Sequence, residues 1–359
     1  MKKIKLIFNK PDFSSLSLLS GNMAMLHKEG ISLLIMMDLL TELPLRKNYK
    51  ESVRNIKNFI AEGKSLNDSF NEFNDLYPEF FVGMVSMGEK SGNLSEVLKG
   101  LEEYYDKISF FKSTIKNVLA YPILLFISII TVFIFIAFVT IPSLYEFYIN
   151  LNIEIPSVCK FLYDLVNYIK TNPIYSFIYF LSWGILLPYI IYKFYFKNYI
   201  KALLNKIAII REFNEFIFIS LLSIIIRSGV NLSNGLVYSA TSFKNSALKE
   251  RFLLLNSSIL RGETISESLK KHGYYCNYTT SIIKLGEEGG SMDERMKSLS
   301  DHLEKKLLSD INRYMAILQP ASILIMGACV IAFLMIFIVP LFSSLLDGGL
   351  WWERKVIHL

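Results

Sequence analysis

The sequence contains few of the residues from which catalytic and metal sites are built. Three cysteines occur among 359 residues, and they show neither the pairing of a disulfide framework nor the spacing of a zinc site. The four histidines are isolated and lie in no HExxH pattern. The segment EGKS at 62–65 looks like part of a phosphate-binding loop, but the position that would need the first glycine holds Asn58. We therefore expect a protein that is not an enzyme and that binds no cofactor or metal.

Charge is missing from three long stretches, at 117–145, 171–192 and 314–346. The first contains an apolar run at 123–141 that, at about 1.5 Å per residue, reaches roughly 28 Å and can cross the hydrocarbon core of a bilayer. The second is interrupted by a glycine and a proline, which membrane helices tolerate. We predict three transmembrane helices, at 117–145, 173–195 and 314–346. Because the three stretches at 117–145, 171–192 and 314–346 hold no Asp, Glu, Lys, Arg or His, they are poor candidates for an ion or proton pathway.

Lysine and arginine are unevenly distributed around the predicted spans. Residues 1–116 carry sixteen of them and residues 197–316 carry seventeen, whereas the link between the first two spans carries two. Because basic segments stay on the cytoplasmic side, the N-terminus is predicted to be cytoplasmic, and the link at 146–172 and the tail at 347–359 to lie outside. The protein would thus be a multi-pass protein of the cell (inner) membrane.

The same bias accounts for the net charge of +6, so we expect no direct nucleic-acid partner. Basic residues close to the spans, such as Lys107, Lys112 and Lys116, are suited to anionic lipid headgroups. Membrane lipids are therefore an expected partner.

The chain repeats part of itself after 198 residues. SMGEKSGNLSEVLKGLEEYY at 86–105 corresponds to KLGEEGGSMDERMKSLSDHL at 284–303, with six identical positions. With a slip of one residue, EGKSLNDSF at 62–70 corresponds to RGETISESL at 261–269. Matches at a nearly constant offset over so long a stretch indicate an internal duplication.

Apolar residues in the two charged blocks recur at helical spacing, for example Leu94, Leu98 and Leu101 in the first block. Glycine and proline separate segments of about 12–20 residues, which is typical of helices joined by short turns. The predicted fold class is an all-α membrane protein with two homologous cytoplasmic helical bundles and three transmembrane helices. Bundle 1 would occupy 1–116 and bundle 2 would occupy 196–313.

The repeated segment has the features of a helix start. In each copy a short polar residue is followed three residues later by a glutamate, which is the pattern of a capping box; the pairs are Asn93 with Glu96 and Ser291 with Glu294. The glycines just before them, Gly92 and Gly290, would admit the positive φ of a turn between two helices. We therefore interpret the four polar residues as helix caps.

A second glutamate of the repeat, Glu89 or Glu287, directly follows a glycine, Gly88 or Gly286. It falls near the end of the preceding helix, where the carbonyl groups disfavour a carboxylate by about 0.3–1 kcal/mol. Its presence in both copies implies a compensating interaction. Two explanations stay open, namely a hydrogen bond or ion pair within the bundle, and a contact with a partner or a metal.

These residues resemble a known family, the inner-membrane platform proteins of type II secretion systems and type IV pili. In that family two homologous cytoplasmic helical domains alternate with three spans, and each domain carries a G-E-x-x-G-x-L motif followed by a proline step at the membrane. The motif occurs here at 88–94 and, with methionine in its last position, at 286–292; the proline steps are Pro122 and Pro320. The short chain is most similar to the compact Gram-positive competence-type member.

The resemblance implies a non-enzymatic platform that couples a cytoplasmic hexameric assembly ATPase to the polymerisation of pilins or pseudopilins. It also implies contacts with other inner-membrane pilus or secretion components and a homo-oligomeric state. In competence machines the pseudopilus helps to take up DNA. The residues that would form the turn or face a partner are Gly88, Glu89, Gly92, Gly286, Glu287 and Gly290, and Pro122 and Pro320 would mark the entry into the membrane.

Two other functional classes agree less well with the sequence. A membrane subunit of a transporter, the alternative function, would need ionisable residues along its pathway, and the three uncharged stretches hold no Asp, Glu, Lys, Arg or His. A membrane-anchored sensor would need a sizeable outer domain, and the outer link at 146–172 is too short for one.

Overall fold

The computed structural model describes residues 11–151, 155–179, 182, 208–243, 247–339 and 342. Every regular element in these ranges is a helix, so the predicted all-α class is confirmed. The helices are numbered below in the order in which they occur in these ranges.

The first repeat consists of five short helices and one long helix. They are α1 (Phe13–Lys28), α2 (Leu33–Thr41), α3 (Lys47–Ala61), α4 (Leu66–Asn71), α5 (Glu79–Ser91) and α6 (Leu94–Phe135). Local signals set several of their ends. Asp12 caps α1 by accepting a hydrogen bond from the Ser15 backbone N–H, and Ser65 caps α4 by accepting one from the Asp68 N–H at 3.0 Å. Gly92 ends α5 with a left-handed φ of 74°.

Between α6 and the second repeat, the described residues form three further α-helices. A π-helical segment, Ile136–Thr140, joins α6 to α7 (Ile141–Asn150), and α8 (Ser157–Thr171) and α9 (Pro173–Tyr179) come next. The stretch 146–172, predicted only as a short link, is thus largely helical in its described residues. The predicted span at 173–195 lies mostly outside the described residues, with α9 as its principal described part, so the structure does not confirm a third span.

The second repeat has the same helices in the same order. They are α10 (Ala208–Arg227), α11 (Leu232–Thr241), α12 (Ala247–Leu260), α13 (Ile265–His272), α14 (Asn277–Glu288) and α15 (Met292–Phe333). A second π-helical segment, Leu334–Ile338, follows α15 just as the first follows α6. The duplication is therefore a correspondence of whole helices, including this irregularity.

The two repeats share one compact unit, formed by residues 1–115 and 207–310. Aromatic rings fill its interior in both repeats. In the first, the ring of Phe70 lies 4.6 Å from that of Tyr77 and 5.0 Å from that of Phe81, in edge-to-face contacts. In the second, Phe218 stacks on Phe252 at 4.6 Å. Such ring pairs add about 0.5–1.5 kcal/mol each to the burial of their area.

A second compact unit is formed by residues 116–206 and 311–359. Its described core is a cluster of Ile141, Cys159 and Phe337. The hydroxyl of Tyr148 donates to the Phe337 carbonyl at 3.0 Å, which joins α7 to the π-helical segment after α15. The helices of the predicted link therefore pack on the π-helical segment that follows α15.

Two helical stretches are long and apolar enough to cross a membrane, Leu94–Asn150 and Met292–Ile338. Their apolar windows are almost wholly exposed, whereas a core helix of a soluble protein would be buried. The first stretch contains the predicted span at 117–145, and the second contains residues 314–338 of the predicted span at 314–346. By length and composition, both stretches can cross a membrane.

The two proline steps lie inside these long helices. Pro122 is part of α6 and Pro320 is part of α15, at equivalent positions, and each helix continues past its proline. A proline in a helix interior removes one backbone hydrogen bond, which soluble helices seldom accept but membrane helices tolerate. That these prolines mark the entry into the membrane stays a prediction.

Candidate functional site

The carboxylate of Glu89 lies at the start of another helix of its own repeat. Glu89 is in the last turn of α5, and its side chain accepts hydrogen bonds from the backbone N–H groups of Leu66 at 2.9 Å and Asn67 at 3.0 Å. Leu66 and Asn67 are the first two residues of α4. The side chain of Glu89 thus binds the N-terminus of α4.

Glu287 makes the same arrangement in the second repeat. From the last turn of α14 its carboxylate accepts from the N–H of Ile265 at 2.7 Å and from that of Ser266 at 3.2 Å. These residues begin α13, the counterpart of α4. The repeated glutamate therefore has one geometry in both copies.

The geometry explains how a carboxylate is tolerated at the end of a helix. The first N–H groups of a helix have no partner within the helix and carry partial positive charge, so they bind a carboxylate well. Hydrogen bonds to a charged acceptor contribute about 1.5–3 kcal/mol each. This attraction exceeds the unfavourable contribution at the end of α5 or α14, so each glutamate fixes one helix terminus against another.

The glycines of the motif provide the space and the turn. A Cβ on Gly88 would lie 3.1 Å from the Leu94 Cα, and one on Gly286 would lie 2.9 Å from the Met292 Sδ, so each glycine permits close packing against the following helix. Gly92 and Gly290 have φ values of 74° and 63°, as the turn requires. That these turns face a partner stays a prediction.

The predicted capping boxes differ from what the structure shows. α6 and α15 begin directly after Asn93 and Ser291, but among the described residues no hydrogen bond joins Asn93 to Glu96 or Ser291 to Glu294. The Asn93 side-chain amide instead donates to the Ser228 carbonyl of the other repeat at 3.4 Å. This is a correction: the sequence pattern marked the helix starts, yet a contact between the repeats engages Asn93. A capping box with both bonds forms at Thr264, where α13 begins.

An ionic cluster between the repeats was not predicted. Arg227 donates two hydrogen bonds to the carboxylate of Glu103, at 2.5 and 3.3 Å. Lys107 pairs with Asp301 and, at 3.0 Å, with Glu304. Lys107 was expected to meet lipid headgroups, and the structure corrects this, because its ammonium group is committed to carboxylates of the second repeat. No local spacing predicts such pairs, whose members are more than a hundred residues apart in the chain.

The pKa of Glu103 reflects this contact. Burial raises the pKa, but the hydrogen bond and charge of Arg227 outweigh burial and hold the pKa below its ordinary value. The charged pair therefore favours the folded state at neutral pH.

Replacing Arg227 with methionine is expected to lower the free energy of unfolding by about 1 kcal/mol at pH 7. Because the folded-state pKa of Glu103 is lowered, this contribution is present above the ordinary glutamate pKa of about 4.3 and is lost as pH falls through the folded-state value. The difference between variant and wild type should shrink in acid, as measured by urea unfolding of the full chain in detergent. Lys284→Met removes an exposed pair with Glu288 and serves as the control with little effect. A difference independent of pH would contradict the assignment.

Within the part of the chain that the structure describes, no three His, Cys, Asp or Glu side chains gather as a metal site would require.

Comparison with known proteins connects this arrangement to a family. The family described as type II secretion system (T2SS), protein F, matches residues 19–142 and 218–340, one match in each repeat. The chain is 23% identical over 288 residues to the type II secretion system protein F of Pseudomonas aeruginosa. This alignment covers 79% of this chain and 71% of that protein. It is 22% identical over 332 residues to the protein of that name from Vibrio cholerae, with 91% and 81% covered.

A third relative is the type IV pilus assembly protein PilC of Myxococcus xanthus, 22% identical over 324 residues, with 88% of this chain and 76% of that protein covered. The family match covers more than half of the chain and includes the Gly-Glu motif of both repeats. The chain belongs to the family of type II secretion system protein F.

Proposed function

We propose that the chain is a non-enzymatic platform in the inner membrane for secretion or pilus assembly. In this proposal it couples a cytoplasmic assembly ATPase to the polymerisation of pilins or pseudopilins. The observation that carries the proposal is the family match in both repeats, with relatives named for type II secretion and for type IV pilus assembly.

The build of the repeats supports a mechanical role. Each repeat continues, through α6 or α15, into a helix long and apolar enough to cross a membrane. The repeats themselves form one compact unit, joined by the Glu103–Arg227 and Lys107–Asp301 pairs. Because α6 and α15 leave this unit as continuous helices, a movement of the unit would also move the two apolar helices.

The repeated motif supports a partner surface on this unit. Lys90, Ser91 and Gly92 are exposed in the first turn, and Gly289 and Gly290 in the second. The glutamates hold the neighbouring helix starts in place, so the exposed turn residues keep a fixed shape. We propose that these turns contact the ATPase, and that the short chain serves a competence pseudopilus for DNA uptake.

The purified full chain is expected to retain the assembly ATPase of its own machine in a pull-down and to hydrolyse no ATP when alone. Lys90→Glu should weaken retention, because it reverses charge in the exposed turn without touching the Glu89 cap. Lys47→Glu, at an exposed position of α3, is the matched control and should retain the ATPase fully. Equal retention by both variants would contradict the proposed contact, and turnover by the pure chain would contradict the non-enzymatic role.

The proposed topology can be tested with fusions. A reporter that is active only outside the cytoplasm should work when fused near Val158 or after Gly348, and should fail near Ser65 or Asn256. The N-terminus would then be cytoplasmic and the C-terminus outside. Activity of the fusion near Ser65 would reverse the proposed orientation.

A further inference from the structure

The two repeats contact each other through different helices. α5 of the first repeat packs on α11 of the second. A Cβ on Gly83 would lie 2.3 Å from the ring of Tyr238, and the Phe80 N–H donates to the Ser242 hydroxyl at 2.9 Å. The contact extends to α6 and α10, because Gly100 of α6 packs against the side chain of Ile224 of α10. We call this contact the closed interface.

The equivalent surfaces of the two repeats do not meet. By the offset of the duplication, α14 corresponds to α5 and α2 corresponds to α11, yet among the described helices α14 and α2 make no comparable contact. Leu39, the counterpart of Tyr238, is 46% exposed, and Met25, the counterpart of Ile224, is 52% exposed. A two-fold arrangement would have buried both, so the repeats are joined head to tail.

A head-to-tail contact leaves one half of the interface open at each end of the pair. The open α2 face is an apolar pair, Ile35 and Leu39, spaced by one helical turn. Ile35 is 57% exposed. The open α14 face consists of Tyr278, Ser281 and Leu285. Tyr278 and Leu285 are 50% and 54% exposed.

The two open faces fit each other as the closed interface does. Ser281 takes the place of Gly83, so a small residue again stands where the partner helix must come close. Leu39 takes the place of Tyr238 and would lie against it. Apolar residues flank this point on both faces, and burying such side chains gives about 25 cal/mol per Å² of apolar area.

The edge of the two faces holds the counterparts of the Glu103–Arg227 ion pair. Lys28 occupies the position of Arg227, and Asp301 that of Glu103, the two residues paired in the closed interface. Lys28 is exposed, and the Asp301 side chain keeps 42% exposure beside Lys107. Because Asp301 already pairs with Lys107 within one copy, the contact between copies depends on the apolar and small residues of the two faces.

We propose that a second copy of this chain binds here, with the open α14 face of one copy on the open α2 face of the next. The contact repeats the closed interface between chains instead of within one. Because each copy still has one open face of each kind, copies add head to tail until the rotation closes a ring. The proposal concerns assembly of the chain with itself and does not depend on the proposed ATPase contact.

Cross-linking tests the contact directly. In a full chain with Cys159, Cys276 and Cys329 replaced by alanine, Leu39→Cys and Ser281→Cys are made in separately tagged copies and co-expressed in membranes. We expect a disulfide between the two tags, because the closed interface brings the equivalent positions into contact, as disulfide geometry requires. Copies with Leu39→Cys alone, or Ser281→Cys alone, should not cross-link. Glu51→Cys, exposed on α3, replaces Leu39→Cys in the matched control.

Mass measurement gives a second readout. Leu39→Arg places a charge in the open α2 face and should shift the detergent-solubilised chain from an oligomer to a monomer, with its melting temperature unchanged because Leu39 is exposed within one copy. Cross-links between identical cysteine positions would overturn the proposal in favour of a two-fold dimer. Absence of the mixed cross-link, or an oligomer unaffected by Leu39→Arg, would also overturn it.

Discussion

The double variant Glu89→Gln with Glu287→Gln is expected to lower the free energy of unfolding by about 2–4 kcal/mol. Each carboxylate accepts two backbone N–H groups at a helix start. Glutamine keeps the shape and one acceptor oxygen, but it has no charge and leaves one N–H unpaired. The sites lie in different repeats, so their effects should add.

Urea unfolding of the full chain in detergent measures this loss. Glu288→Gln is the matched control, because Glu288 follows Glu287 directly but makes only an exposed pair with Lys284, which contributes little. We expect similar single effects at Glu89 and Glu287, because each carboxylate accepts two backbone N–H groups. Unchanged stability in the double variant would show that these hydrogen bonds do not hold the helix starts. If the double variant were as stable as wild type but no longer supported the polymerisation of pilins, the two carboxylates would act through a contact with a partner.

Gly83→Leu is expected to lower the free energy of unfolding by about 1–3 kcal/mol or more, because the new side chain has no room beside Tyr238. The nearest ring atoms lie at the base of the tyrosine side chain, 2.3 Å from the position of a Cβ, so rotating the hydroxyl end away gives no relief. At an exposed helical position, replacing glycine would instead raise the free energy of unfolding by up to about 1 kcal/mol. The sign of the effect therefore reports on the packing between the repeats.

The duplication supplies the control for this experiment. Ser281→Leu changes the equivalent position in α14, which is exposed, and should leave the stability of a single copy nearly unchanged. Gly83→Leu combined with Tyr238→Ala should recover part of the loss, since truncating the ring opens the space. Equal stability of Gly83→Leu and Ser281→Leu would mean that α5 and α11 do not pack closely.

Much of the fold follows from local patterns. Helical spacing of apolar residues and the glycine turns predicted the bundles, and the starts of α6 and α15 fall directly after Asn93 and Ser291, where capping chemistry was expected. The offset of the duplication was enough to predict which helix of the second repeat corresponds to each helix of the first. These features depend on neighbours in the chain, which a sequence displays directly.

The partners of the glutamates could not be predicted in the same way. Glu89 binds N–H groups 22 and 23 positions earlier, and backbone groups leave no mark in a sequence. One signal was available, since the segments at 62–70 and 261–269 repeat together with the Gly-Glu motif. The ion pair between Glu103 and Arg227 had no such signal, because it depends on how the two repeats pack.

The two π-helical segments bear on the origin of the chain. Ile136–Thr140 and Leu334–Ile338 occupy equivalent positions in the two copies, and such segments are rare. We infer that one ancestral unit already carried its bundle, its apolar helix and this irregularity before the gene was doubled. That ancestor would have met its neighbour as a separate molecule, and fusion then tied two neighbours into one polypeptide. The contact between α5 and α11 is, in this history, a former boundary between molecules.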